Sequence, residues 1–334
     1  MSKLQKVLVW LRWPLALGIL SLLFYQHREG VERLSAQPLA WAWLVLAVGL
    51  RSSALLLGCS RWRLLVRAQN IPFAFRDAFR LGGIANLMNY VVPGTIGGDL
   101  TKVVMVAREN PDSRAVVAAT VVLDRVMGLL SLMLLGCGAS LAYPALWENA
   151  QLLSAVLLLA GGSCAGLLGI GLMLHPVVAK SRLVKWCERL PKIGGVVREL
   201  VRGVSLYQQR PRVLLSALLM SVVIHIANCS GYYCCTLALH LGEIVPSFGM
   251  HLVLVPVAEI AAAVLPLPGG IGAREGALQY LYGACSVVPG VAESGFFAAV
   301  GYSVVSVTVA VLGGCCAFAL RRPRVEESVE LAAA

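Results

Sequence analysis

Six stretches of the chain are predominantly apolar over about the length that crosses a bilayer: residues 7–25, 36–58, 114–142, 150–174, 212–240 and 294–320. A helix rises 1.5 Å per residue, so about 20 apolar residues cross a hydrocarbon core of about 30 Å. These six segments are predicted to be full transmembrane helices. Two further apolar regions, 77–108 and 248–288, are each interrupted by nearly the same phrase. The first reads Pro93-Gly94-Thr95-Ile96-Gly97-Gly98-Asp99, and the second Pro268-Gly269-Gly270-Ile271-Gly272-Ala273-Arg274-Glu275. Once its loop is removed, the first region is too short for two full spans. Each region is therefore predicted to be a re-entrant hairpin. Paired Gly/Pro breaks at corresponding positions of two halves point to a binding site between them.

The remaining chain adds little. Lys3 and Lys6 precede the first apolar run, but Arg12 and Pro14 interrupt it and no small-x-small cleavage site follows, so a retained first span is expected. Between 179 and 211, Trp186, Leu190, Ile193, Val197, Leu200, Val201 and Val204 fall near helical spacing among basic residues. That pattern suits an amphipathic helix on the inner leaflet, or one packed on the cytoplasmic face of the bundle. One transmembrane domain over 1–325 and a short disordered tail over 326–334 are expected.

Composition agrees with the pattern. Hydrophobic residues make up 58% and charged ones 13%, with a mean hydropathy of +0.79; soluble domains carry about 25% charged residues. The net charge of +11 does not indicate nucleic-acid binding, because the basic residues sit at the ends of apolar runs. With the N-terminus inside, 23 of the 28 Lys and Arg fall in cytoplasmic segments, and only Arg28 and Arg33 lie outside. Positive charge retained inside sets orientation, so both termini are expected in the cytoplasm. Basic residues flank the first broken region, whereas Glu243 and Glu293 flank the second. The two hairpins should then enter from opposite faces, which makes the fold an all-α integral membrane protein with an inverted-topology repeat. The ten cysteines and five histidines show no ligand spacing, so no metal, cofactor or structural disulfide is expected.

Seven ionisable groups lie at membrane depth: Arg51, Asp99, Asp124, Arg125, Glu259, Arg274 and Glu275. Such groups are costly in hydrocarbon and normally pair or line a path. Asp124 and Arg125 lie about ten residues into their span, hence about 15 Å deep. As helix neighbours they point about 100° apart, so each should meet a partner elsewhere, either in a functional site or in a structural ion pair. Gly94, Gly97, Gly98, Gly269, Gly270 and Gly272 either let the backbone approach a ligand or allow tight helix packing. Helices restarting after the breaks would point positive N-terminal ends into the site and favour an anion such as a phosphate headgroup. Arg125 and Arg274 would add bidentate contacts. Asp99, Asp124, Arg125, Arg274 and Glu275 form the expected core of one shared site. Glu259 is a candidate proton carrier, or a structural partner of Arg274 or Arg125. Arg51 is expected to snorkel towards the interface. Asn86, Asn89, His225 and Asn228 are expected to bond between helices. Gly270-Ile271-Gly272 lacks the spacing and the preceding strand of a dinucleotide fingerprint.

Together, residues 92–99, Val122-Leu123-Asp124-Arg125 and residues 267–276 resemble the lysylphosphatidylglycerol synthase transmembrane-region family, also called flippase-like. The resemblance spans about residues 10–320. It implies a bacterial inner-membrane protein that moves a phospholipid or a lipid-linked headgroup between leaflets. In bifunctional members, a domain like this moves an aminoacylated lipid outward, and a separate soluble domain makes that lipid. Without that domain, no transferase activity is expected. The partner implied is a membrane lipid with an anionic or zwitterionic headgroup, with a lipid-modifying enzyme as a second. The alternatives are a non-transporting partner of such an enzyme, or an enzyme acting on a lipid-linked substrate.

Overall fold

The computed structural model describes residues 18, 21–28, 30, 32, 37–92, 97–109, 114–175, 206–241, 245–265, 267–286 and 290–320. The span predicted over 7–25 lies largely outside these, as do Gly94, the amphipathic segment 179–205 and the C-terminal tail. The principal described elements are helices: α1 (Trp41–Arg67), α2 (Phe75–Val91), α3 (Gly97–Glu109), α4 (Arg114–Ser140), the short α5 (Ala145–Glu148), α6 (Ala150–Leu174), α7 (Pro211–Ala238), α8 (Phe248–Val264), α9 (Ala273–Cys285) and α10 (Val291–Ala319). A 3₁₀ turn, Pro268–Gly270, joins α8 to α9. Among the described residues, five helices, α1, α4, α6, α7 and α10, are long and apolar enough to cross a membrane.

Proline explains both breaks. A residue before proline is pushed out of the helical region. Val92, before Pro93, has φ −90° and ψ 126°. Leu265, before Pro266, has φ −76° and ψ 127°. Pro256 lies inside α8, which continues through it.

Eight of the described helices fall into two matching sets. α1 to α4 have 27, 17, 13 and 27 residues. α7 to α10 have 28, 17, 13 and 29. Their packing repeats too. α2 packs on α3 as α8 does on α9; α2 packs on α10 as α8 does on α4; α4 packs on α7 as α10 does on α1. α1 and α7 pack directly on each other and run antiparallel. Ala40 N–H donates to Ala238 O at 3.1 Å, while at the other end Arg210 Nη1 donates to Ala68 O at 3.0 Å.

A large apolar core, including Leu159, Tyr232, Leu254, Leu278 and Tyr302, lies among α4, α6, α7, α8, α9 and α10. A smaller one around Trp62, Leu81, Val117 and Val121 holds the α2–α3 pair against α1 and α4. α1 differs from its predicted extent, running on to Arg67 rather than ending near residue 58. The apolar run ends there, but the helix does not, because the arginine in its added turns that turns inward, Arg61, finds a buried partner.

Candidate functional site

The first cluster is built on α1, α3 and α4. Arg61 Nε donates to Asp124 Oδ1 at 2.8 Å, and Arg61 Nη1 to Ser221 Oγ of α7 at 2.6 Å. Lys102 Nζ lies 3.9 Å from Asp124 Oδ2 and 4.9 Å above the Trp62 ring, a cation–π arrangement. Arg61 and Asp124 are buried. Arg125, the next residue, points elsewhere and pairs with Asp99 of α3. Asp124 and Arg125 thus find separate partners, as their 100° separation requires. Arg51 Nη2 donates to Asn86 Oδ1 at 3.3 Å. Asn89 Oδ1 accepts from the Gly98 N–H at 2.9 Å and so satisfies one N-terminal donor of α3.

These side chains line a cavity of about 160 Å³, whose polar members are Arg51, Arg61, Asn86, Asn89, Asp99, Lys102 and Asp124. Three cations face two carboxylates, so the lining carries an excess positive charge. Asn86 Nδ2 is a buried donor with no hydrogen-bond partner among the described residues.

The second cluster surrounds the 268–270 turn. Arg274 grips Glu259 of α8 with two bonds, Nε to Oε1 at 3.1 Å and Nη2 to Oε2 at 3.3 Å. Its Nη1 donates to Ser303 Oγ of α10 and its Nη2 to Gly269 O. Tyr232 of α7 donates to Glu259 Oε1 at 2.6 Å and stacks on Tyr302, whose hydroxyl donates to Asn228. Glu275 is fully buried. It accepts from the Gly272 N–H at 2.6 Å and from Ser303 Oγ at 2.5 Å. One of its oxygens therefore caps α9 at the helix end expected to receive an anion.

The described glycines divide by role. Gly269, Gly270 and Gly272 have φ of 59°, 73° and 90°, conformations that side chains disfavour. Gly97 and Gly98 serve close packing: a Cβ on Gly97 would come within 2.7 Å of Val92 Cβ, and one on Gly98 would overlap Ala85 O. The two chain breaks also touch, since a Cβ on Gly269 would run into the ring of Tyr90, the penultimate residue of α2.

The expected single core is thus divided. Asp99, Asp124 and Arg125 belong to the first cluster; Arg274, Glu275 and Glu259 belong to the second. Glu259 is the partner of Arg274, not of Arg125. Arg51 turns to Asn86 instead of the interface, because an amide inside the bundle gives its guanidinium an acceptor. His225 bonds to Gly128 O and Asn228 to Tyr302, contacts between helices as expected.

Reading the sequence alone missed Arg61, Lys102, Ser221, Tyr232 and Ser303. Arg61 had a usable signal: Ala47, Ala54, Arg61 and Ala68 recur every seven residues and are all buried, so Arg61 continues an inward stripe of small residues. The hydroxyl partners carried no comparable signal.

No curated protein and no solved structure matches the chain. The Lysylphosphatidylglycerol synthase TM region family model matches residues 9–323, nearly the whole sequence. The chain therefore belongs to the Lysylphosphatidylglycerol synthase TM region family.

Proposed function

We propose that the protein moves a lipid with an anionic or zwitterionic headgroup between bilayer leaflets, and that the headgroup is held in the cavity between α1, α2, α3 and α4. The observation that carries this is a charged, net-positive cavity inside a bundle of apolar helices. Arg51, Arg61 and Lys102 offer N–H donors suited to a phosphate. Without it, Asp124 keeps Arg61 and Lys102 paired and Asp99 keeps Arg125 paired; the two carboxylates would receive an amine where the headgroup has one. In this reading the chain has no catalytic role of its own.

The proposal includes the topology. The hairpins α2–α3 and α8–α9 would dip in from opposite faces of a bacterial inner membrane, with both termini inside. Two hydrogen bonds favour this for the second hairpin. Tyr143 and Asn149, which flank α5, reach Ser247 before α8 at 3.3 Å and Ala284 O near the end of α9 at 3.0 Å. Both ends of the hairpin thus lie beside one short connection. The antiparallel α1 and α7 give the inversion that opposed hairpins require. In the same proposal, Arg274, Glu275, Gly269, Gly270 and Gly272 form the wall of the transport path from the other half, and Glu259 carries a proton when it releases Arg274.

The test is reconstitution in vesicles with a fluorescent phosphatidylglycerol, read by dithionite quenching of the outer leaflet. Protein-dependent movement is expected, and Asp124→Asn should abolish it in a protein that remains folded and inserted. Wild-type vesicles that move none of the anionic and zwitterionic lipids offered would instead assign the chain to a non-transporting partnership with a lipid-modifying enzyme. Proton carriage by Glu259 predicts that a pH gradient alters the rate and that Glu259→Gln removes that response.

A further inference from the structure

The Asp99–Arg125 pair lies where two spaces meet. On one side is the polar cavity, which Asp99 lines with Lys102 and Asp124. On the other is an apolar groove of about 420 Å³ between α3 and α4, lined by Asp99, Leu100, Val122, Arg125, Val126 and Leu129 among others. The groove opens outward. Leu100, Val122, Val126 and Leu129 are all exposed. Arg125 lies well inside α4, about 16 Å from its start at 1.5 Å per residue, so the groove is at the depth of acyl chains.

Placing charge there is costly. The Arg125 side chain is 41% exposed and that of Asp99 is 26% exposed. By contrast Arg61, Asp124, Arg274 and Glu275 are turned inward and buried. Ionisable groups in a span normally face the bundle interior. An ion pair on the outer wall needs a reason to be there, and the polar cavity directly behind it supplies one.

We propose that the α3–α4 groove is the lateral entrance for a bilayer phospholipid, with the Asp99–Arg125 pair as its gate. This rests on the lipid-translocation reading of the cavity. One acyl chain lies along Val122, Val126 and Leu129. The lipid phosphate takes the Arg125 guanidinium in place of the Asp99 carboxylate, since a planar fork of donors binds phosphate oxygens bidentately. Released, Asp99 turns to Lys102, which lies three residues on along the same face of α3. The charges stay balanced: phosphate and Asp99 are matched by Arg125 and Lys102. The headgroup then passes behind the pair into the cavity, and the acyl chains never leave the apolar surface.

The experiment uses the full chain in phosphatidylethanolamine vesicles containing a phosphatidylglycerol probe with a diazirine midway along one acyl chain. Labelled residues are read by mass spectrometry. Label on Val122, Val126 and Leu129 is expected to exceed label on Leu167 and Leu168 of α6, which are likewise exposed, by about tenfold, the ratio that ~1.4 kcal/mol of headgroup contact produces. A diacylglycerol probe, which lacks the phosphate, should label α4 and α6 alike, and Arg125→Gln should remove the enrichment. Equal labelling of both helices by the phosphatidylglycerol probe, or unchanged enrichment with diacylglycerol, overturns the entrance. Filling the groove with Val122→Trp or Val126→Trp should slow lipid movement about tenfold, equivalent to ~1.4 kcal/mol in the barrier, in protein that inserts normally. Wild-type rates in both would overturn it too. Labelling does not require transport, so the two readings fail separately. Enrichment without lipid movement retains the groove as a phospholipid site and removes translocation; movement without enrichment removes the entrance and leaves translocation standing.

Discussion

Asp124 is the point at which a single charge can be removed from the first cluster with the largest expected effect. Arg61 Nε is 2.8 Å from one carboxylate oxygen and Lys102 Nζ 3.9 Å from the other. At an effective dielectric constant of about 20, the gross attractions are roughly 6 and 4 kcal/mol. Desolvation of the buried charges offsets most of this, and breaking a buried pair by removing one member costs about 3–5 kcal/mol. Asp124→Asn keeps an amide oxygen for Arg61 Nε but loses the charge, so a loss of about 3 kcal/mol is expected. Arg61→Met should cost somewhat less, because Lys102 still compensates Asp124. In the double variant Arg61→Met/Asp124→Asn neither of the two charges is left, and the loss should fall short of the sum of the singles by about 2 kcal/mol. The assay is a double-mutant cycle from reversible unfolding in mixed micelles. Additive losses, within about 0.5 kcal/mol, would refute the coupling. Lipid movement supplies a second readout. A double variant that recovers stability and still moves lipid at the wild-type rate would make the pair scaffold and refute its place in the headgroup site.

Three further outcomes are expected. Gly269→Ala should destabilise the protein by more than the ~1–2 kcal/mol of a left-handed conformation alone, because its Cβ meets the Tyr90 ring; Tyr90→Ala in the same chain should restore only the overlap part, and a fully stable single variant would show that the two breaks do not touch. Arg274→Lys should lower stability by about 2 kcal/mol, since a point charge cannot reproduce the two-bond grip on Glu259 together with the bonds to Ser303 and Gly269; a Lys variant as stable as wild type in the same unfolding assay would count against that network. Cysteines replacing Glu148 and Ser247 should react with an impermeant maleimide from the periplasm, and one replacing Asn70 should not; cytoplasmic labelling at Ser247 would sink the inverted arrangement.

Much of the fold was readable because it depends on local chemistry. Crossing helices follow from apolar length, and the ends of four of the long ones fall within about three residues of their predicted limits, a normal boundary error. The breaks follow from Pro93 and Pro266, which act on the residue before them wherever they stand. α1 runs past its predicted C-terminal end, because Arg61, Arg63 and Arg67 form a basic cluster of the kind that marks an interface but the helix continues through it. Only Arg61 turns inward among them to a buried partner. The site was less readable. The sequence singled out Asp99, Asp124, Arg125, Glu259 and Arg274 as charges at depth, but not how they are shared between two clusters.

What the sequence by itself determined is therefore a membrane-embedded bundle with two proline-broken segments, a family, and a short set of charges that must find partners. Each of these follows from the length of an apolar run, from the backbone restriction of one residue type, or from the cost of charge in hydrocarbon. What only the tertiary structure decided is the direction each of those charges faces. Asp124 and Arg125 are adjacent in the chain, yet one is buried against Arg61, 63 positions away, and the other lies on the outer wall beside Asp99. A helix fixes the 100° between neighbours, but not which of the two looks into the bundle. That azimuth is set by the helices packed around it, and these come from distant parts of the sequence.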